Sequence, residues 1–181
     1  MFWRKIVSLD EKITDALRLK DTANKIRPFG IFFAHSGDSW FILLVLFIVW
    51  LATRGFWHHT MAVMAYSTIA LAVLVLAIKF SIKRRRPEGD WGAIYRKSDP
   101  HSFPSGHAAR TAMLAVLALL SGPWWFGLIL AIWAPLVSLA RVAMGVHYFS
   151  DILAGIVLGI LAAFGLYAFA PTVSAWLPFL F

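Results

Sequence analysis

A small set of ionisable and polar side chains in this chain could act together on one anion. Lys79, Arg86 and Arg141 supply positive charge, His107 and His147 supply imidazoles, and Asp151 follows His147 by four positions. A lysine offers a point charge, and two guanidinium forks match the oxygens of a phosphate. Ser105 and Gly106 stand where a helix is expected to open, with Pro104 as the residue that starts it. There, free backbone N–H groups, the positive helix end and the Ser hydroxyl would point at the same anion. If the helix carrying Asp151 begins slightly early, His147 and Asp151 share a face. The carboxylate then accepts from imidazole Nδ1–H and leaves Nε2 to attack phosphorus. His107, arriving from another helix, protonates the departing oxygen. These residues require no metal and no cofactor. The pair His58-His59 suggests no metal site either, since adjacent side chains diverge and no Cys or carboxylate cluster joins them.

The surrounding composition dictates what must position them. Of 181 residues, 60% are hydrophobic and 14% charged, with a mean hydropathy of +0.74. A soluble domain carries about 25% charged residues, so this is a membrane protein. Aromatics at 15% exclude a disordered chain, and the absence of cysteine excludes a disulfide scaffold. The net charge of +8, from 17 Lys and Arg against 9 Asp and Glu, suits nucleic acid, anionic headgroups or phosphate as partner. Nucleic acid drops out because the basic residues gather at membrane level beside paired histidines. The length suits one domain, residues 1–181, undivided by any Gly/Ser-rich or Pro-rich linker.

The reading is an all-α, polytopic bundle with five transmembrane helices, six if the N-terminal helix inserts. Residues 1–27 read as an amphipathic interfacial helix. Ser8 and Glu11 have capping-box spacing, and Leu9, Ile13, Ala16, Leu17 and Ala23 form one stripe flanked by Lys12, Arg18, Lys20, Lys25 and Arg27. No cleaved signal peptide is expected. The bundle occupies residues 28–181. Its first span begins near Ile31 or near Ser39 and includes the apolar run from Trp40 to Ala52. The second runs from about Trp57 to Ile78. The stretch from Ala112 to Ala140 is split by Ser121-Gly122-Pro123 into two antiparallel spans. The last begins near Asp151, carries Gly155 and Gly159 at small-xxx-small spacing, and ends around Pro171. Pairing these ends puts all the reactive residues on one membrane face.

Lys79 with six residues before Arg86-Pro87, the tetrapeptide Pro104-Ser105-Gly106-His107, and Arg141 with five residues before His147 and three more before Asp151 resemble a known signature. It is the three-part signature of the type 2 phosphatidic acid phosphatase (PAP2) family of integral membrane lipid phosphatases. The resemblance covers residues 79 to 151. It implies a metal-independent hydrolase working through a phosphohistidine on His147, with Asp151 orienting it and His107 as general acid, then base toward water. Lys79, Arg86, Ser105, Gly106 and Arg141 become phosphate ligands. The implied partner is a lipid phosphate in the bilayer: phosphatidylglycerophosphate, phosphatidic acid, or undecaprenyl or another polyprenyl diphosphate. One position departs from the pattern, Ala140 standing where the family usually has Ser.

Several residues have simpler readings. Lys83, Arg84 and Arg85 read as a juxtamembrane anchor on anionic lipid, and His35, His58 and His59 as packing residues. His101 lies close enough in the loop to touch substrate. Arg110 reads either as a headgroup contact or as a partner for Asp38 or Asp151. The polar segment from Glu88 to Phe103, with Trp91, Tyr95, Arg96 and Lys97, is expected to cover the site. A transporter or channel for an anionic solute would also place basic rings at span ends, but it needs no His–Asp pair. A vanadate-dependent haloperoxidase, which shares the signature, is generally soluble. Sidedness divides two arguments. Seven basic residues before Pro28 and eight around the site favour a cytoplasmic catalytic face, whereas the resemblance implies an extracytoplasmic one.

Overall fold

A computed structural model describes residues 2–19, 25–88 and 99–181. The chain runs through α1 (Phe2–Leu17), α2 (Arg27–Ser36), α3 (Ser39–Ala52), α4 (Phe56–Ile82), α5 (Gly106–Ser121), α6 (Trp124–Ala143) and α7 (Phe149–Trp176), and ends in a 3₁₀ turn, Pro178–Leu180. α4, α6 and α7 are each long and apolar enough to cross a bilayer. α2 and α3, bent by 61° at the break between them, together pass as a fourth span. α5 is a shorter apolar helix of 16 residues.

α5 is the central helix, packed along α6 and α7 and touching α4. Its alanines Ala108, Ala109, Ala112, Ala115 and Ala118 are all buried, so neighbouring helices approach its backbone closely. Gly155 and Gly159 make that approach on α7. A Cβ at Gly159 would stand 2.0 Å from the carbonyl oxygen of Ala109, and one at Gly155 would stand 2.6 Å from that of Ser105. The small-residue spacing thus sets how near α7 lies to α5. Outward faces of α3, α4, α6 and α7 present large exposed apolar side chains such as Phe47, Val73, Ile132 and Leu161. That is the surface a hydrocarbon solvent stabilises.

Some expected boundaries move. The first span is two helices, because the backbone turns at Gly37-Asp38 and restarts at Ser39. The turn from Ser121 to Pro123 divides α5 from α6 as expected. α7 starts two residues before Asp151 and continues past Pro171 to Trp176. The N-terminal helix starts at Phe2, so Ser8 and Glu11 lie within it and cap nothing, and it ends at Leu17. Ala23 and Lys20 fall outside the described residues. α1 leaves Val7, Leu9 and Leu17 exposed while burying Asp10 and Thr14 against the rest of the protein. Apolar side chains of α1 therefore face outward, while Asp10 and Thr14 turn to the bundle and Glu11, Lys12 and Asp15 stay exposed.

Candidate active site

The ends of α4, α5 and α6 and the start of α7 close around a cavity of about 200 Å³. Lys79, Arg86, Gly106, His107, Arg141 and His147 all line it. Leu71, Ala72, Val75 and Leu76 of α4 form a second, apolar wall. Asp151 and Ser105 stand behind the walls, both fully buried. Ser105 is the N-cap of α5. Its hydroxyl accepts from Ala108 N–H at 3.4 Å, and its own N–H donates to the Asp151 carbonyl at 3.0 Å, so that N–H is not free for an anion. Pro104 follows a cis peptide and precedes the cap, so Gly106 opens the helix.

His147 lies before α7, whose N-cap is Tyr148, yet it still meets Asp151. Asp151 Oδ2 accepts the Tyr148 N–H at 2.9 Å and stands 3.6 Å from His147 Nδ1, an ion-pair contact longer than a hydrogen bond. The other ring nitrogen, Nε2, lies 3.2 Å from Arg86 Nη1. A guanidinium can only donate, so Nε2 is the acceptor and the ring proton sits on Nδ1, facing Asp151. Burial pushes His147 down to about 3, Arg86 and Arg141 acting in the same direction and Asp151 opposing them. The imidazole is neutral at physiological pH, with its lone pair on the cavity side.

His107 is held by a carboxylate from the break between α2 and α3. Its Nε2 lies 2.7 Å from Asp38 Oδ1, and the other oxygen of Asp38 is 3.1 Å from Nδ1 of the half-exposed His35. Arg110 fixes that break by donating to the Gly37 carbonyl from Nε at 3.2 Å and Nη2 at 2.8 Å. It also lines the cavity, so its place is beside Asp38 through the backbone and away from Asp151.

The cations share a carboxylate that sequence reasoning did not single out. Asp99 Oδ2 pairs with Lys79 Nζ and lies 2.7 Å from Arg86 Nη2, while the Asp99 carbonyl accepts from Arg86 Nε at 2.7 Å. Burial alone would raise the Asp99 carboxyl, but the bond to Lys79 and the charges of Lys79 and Arg86 carry it below its usual value. Burial lowers Arg86, partly offset by Asp99. Arg86 Nη1 also donates to the Val146 carbonyl at 2.7 Å, tying the first motif to the third. Arg141, 1% exposed, reaches the Ala34 carbonyl at 3.3 Å. Ala140 packs against Ala34 and Met144, so apolar contact fills the place of the hydroxyl usual in the resembled pattern.

Among the residues read as an anchor, Arg84 is a correction. It binds Asp10, Ser150 and Asp151 and lies 4.0 Å over the Tyr148 ring. Lys83 and Arg85 are both exposed. His101 forms a backbone bridge with Arg85 and sets its ring against Phe80, off the cavity wall. His58 bonds the Trp50 carbonyl, and His59 packs on Phe181. Trp91, Tyr95, Arg96 and Lys97 lie outside the described residues. Asp99 could have been anticipated from charge balance, since three converging cations in a chain with nine acids need a nearby carboxylate. Nothing in the sequence period marks Asp10.

Comparison with known proteins agrees with this geometry. The family model described as the PAP2 superfamily matches residues 60–175. An undecaprenyl-diphosphatase of Sulfolobus acidocaldarius is 44% identical over 63 residues, which are 35% of this chain and 31% of that protein. A decaprenylphosphoryl-5-phosphoribose phosphatase of Mycobacterium tuberculosis is 30% identical over 155 residues, 85% of this chain and 82% of that one. The crystal structure of a transmembrane PAP2-type phosphatidylglycerolphosphate phosphatase from Bacillus subtilis superposes with a TM-score of 0.72 at 25% identity, covering 93% of this chain and 88% of that chain.

Proposed function

The chain belongs to the PAP2 superfamily, and from that premise we propose that it removes a terminal phosphate from a membrane lipid through a phosphohistidine on His147. The observation that carries this reading is the two-sided cavity. One wall is basic, from Lys79, Arg86 and Arg141, and the other is the aliphatic face of α4, where Leu76 is half exposed toward the bilayer side. A phosphate held at the first wall leaves its lipid chain along the second.

Each step has a residue in reach. The phosphate takes the N–H of Arg86 away from His147 Nε2 and releases that lone pair. Nε2 attacks phosphorus; a P–N bond forms as the P–O bond to the lipid breaks. His107 gives its proton to the leaving oxygen, and Asp38 supports it in its charged form. The Nδ1–H proton stays on His147, where Asp151 offsets the charge that develops. Lys79, Arg86 and Arg141 neutralise the phosphoryl oxygens, with Gly106 letting the start of α5 approach. Water then attacks phosphorus, giving its proton back to His107, and phosphate leaves as His147 is restored.

The three similar proteins are named for three different lipids, so the shared chemistry is the lipid-linked phosphate. Purified protein is to be assayed for phosphate release from vesicles containing phosphatidylglycerophosphate, phosphatidic acid or undecaprenyl diphosphate. The expected result is release from at least one, lost in His147→Asn, with acid-labile label trapped on the wild type. No release from any, or full activity in His147→Asn, would overturn the reading. α1 docks beside Ser150, so the N-terminal helix and the site share a face. Thiol labelling of Glu88→Cys and of a C-terminal cysteine assigns that face.

A further inference from the structure

We propose that Asp10 on α1 and Arg84 after α4 are positioning residues for the His147–Asp151 pair, so that the amphipathic helix on the bilayer surface is part of the catalytic apparatus. The inference rests on the phosphatase reading and adds to it two residues outside the three motifs. Asp10 also lies outside the matched segment, residues 60–175.

The network is continuous. Asp151 Oδ1 accepts from Arg84 Nη1 at 2.8 Å, and Arg84 Nη2 donates to Asp10 Oδ2 at 2.7 Å. Asp10 Oδ1 accepts the Ser150 N–H at 2.9 Å, and Oδ2 accepts the Ser150 hydroxyl at 2.5 Å. One turn along α1, Thr14 Oγ1 accepts the Phe149 N–H at 3.1 Å. Phe149 and Ser150 open α7, where backbone N–H groups have no partner within their own helix. α1 therefore caps the catalytic helix from outside, using residues that a surface helix would otherwise leave in water.

The charges explain why both residues matter. Arg84 alone would draw the Asp151 carboxylate away from His147. With Asp10 on its far side, Arg84 divides its charge between two carboxylates and holds Asp151 in place while leaving Oδ2 for the imidazole. Asp10 and Thr14 are buried while Val7, Leu9 and Leu17 stay exposed, so α1 contributes this contact and still presents apolar side chains to lipid. A helix that only anchored the chain would have no reason to bury an aspartate.

The test uses full-length protein in nanodiscs, after phosphate release by the wild type has been established on the lipid panel. Failure of that panel counts against the reaction, and everything below counts for or against the positioning role. Asp10→Asn is expected to lower kcat about tenfold with KM within about twofold, as loss of an orienting partner does. Arg84→Lys should retain more activity than Arg84→Gln. In an Asp151→Asn background, Asp10→Asn should cost nothing further, because the carboxylate it positions is gone. Should Asp10→Asn not assemble, Asp10→Glu carries the same test, its longer side chain misplacing the carboxylate. Unchanged kcat, a loss confined to KM, or a loss that multiplies in full on Asp151→Asn would overturn the proposal.

Discussion

Asp38 Oδ1 stands 2.7 Å from His107 Nε2, so both histidines of the site have a carboxylate partner, one before α3 and one in the first turn of α7. The partner of His107 orients its ring and supports its protonated form, which a general acid needs. Asp38→Asn keeps the geometry and removes the charge. Lipid turnover is expected to fall about 10²-fold, within the usual range for general acid catalysis, and His107→Ala should fall at least as far. An aryl phosphate with a good leaving group needs no proton in the first step, so both variants should recover most of their rate of phosphoenzyme formation on it, read as a burst of released aryl alcohol. Equal losses in phosphoenzyme formation from lipid and from aryl phosphate would remove His107 from the acid role.

Asp99 occupies the cations that the phosphate must reach, through Lys79 Nζ and Arg86 Nη2. A bound phosphate has to share or displace that carboxylate. Asp99→Asn removes the competing charge and is expected to tighten inhibition by inorganic phosphate about three- to tenfold, tenfold being about 1.4 kcal/mol. Weaker or unchanged inhibition would mean that Asp99 chiefly holds Lys79 and Arg86 in place for the substrate.

Acid should weaken the fold through several groups of the same sign, His147 and Asp99 among them. His147 is held at about 3 against an ordinary value of 6.5. The unfolded chain therefore binds a proton near pH 6.5 that the folded one refuses until about pH 3, and stability falls as pH drops through that window. Asp99, lowered from 3.8, loses its contribution only below that value. Thermal unfolding in detergent should be flat above pH 7 and decline from about 6.5 downward. His147→Asn should make the decline between about pH 6.5 and pH 4 shallower. An unchanged slope in that variant would assign the loss to other groups.

The site was legible where chemistry imposes spacing. Lys79, Arg86, His107, Arg141 and His147 line one cavity with Asp151 behind His147, because each stands at or within a few residues of the end of a helix whose apolar run is readable. Gly155 and Gly159 were legible for the same reason, a periodic pattern with one packing consequence. Asp38, Asp99, Arg84 and Asp10 belong to no period. Each is a single charged residue in a turn, a loop or a surface helix, and its role depends on where distant backbone brings it. Arg84 sits 67 positions from Asp151 and 74 from Asp10, and a run of basic residues at a membrane edge looks the same whether it contacts lipid or a buried carboxylate. The break in the first span was only half legible: Asp38, the one charge between Arg27 and Arg54, marks the two possible starts near Ile31 and Ser39, but not that both segments are helices with Arg110 holding the turn at Gly37.

The spacing of α5 and α7 links stability to activity, because α5 carries His107 and α7 carries Asp151. Gly159→Ala would put its methyl group 2.0 Å from the Ala109 carbonyl oxygen, so the helices must part. Overpacking of this kind costs about 1–3 kcal/mol, and the motion also moves apart the helix ends that carry His107 and Asp151. Gly165→Ala on the same helix meets nothing within 4 Å. It gains helix propensity instead, about 1 kcal/mol for Ala over Gly. Melting in detergent together with phosphate release should show Gly159→Ala falling in both and Gly165→Ala equal to or above the wild type in stability with activity retained. If the two alanines behaved alike, close packing at Gly159 would not be what sets the distance between the helices that carry His107 and Asp151.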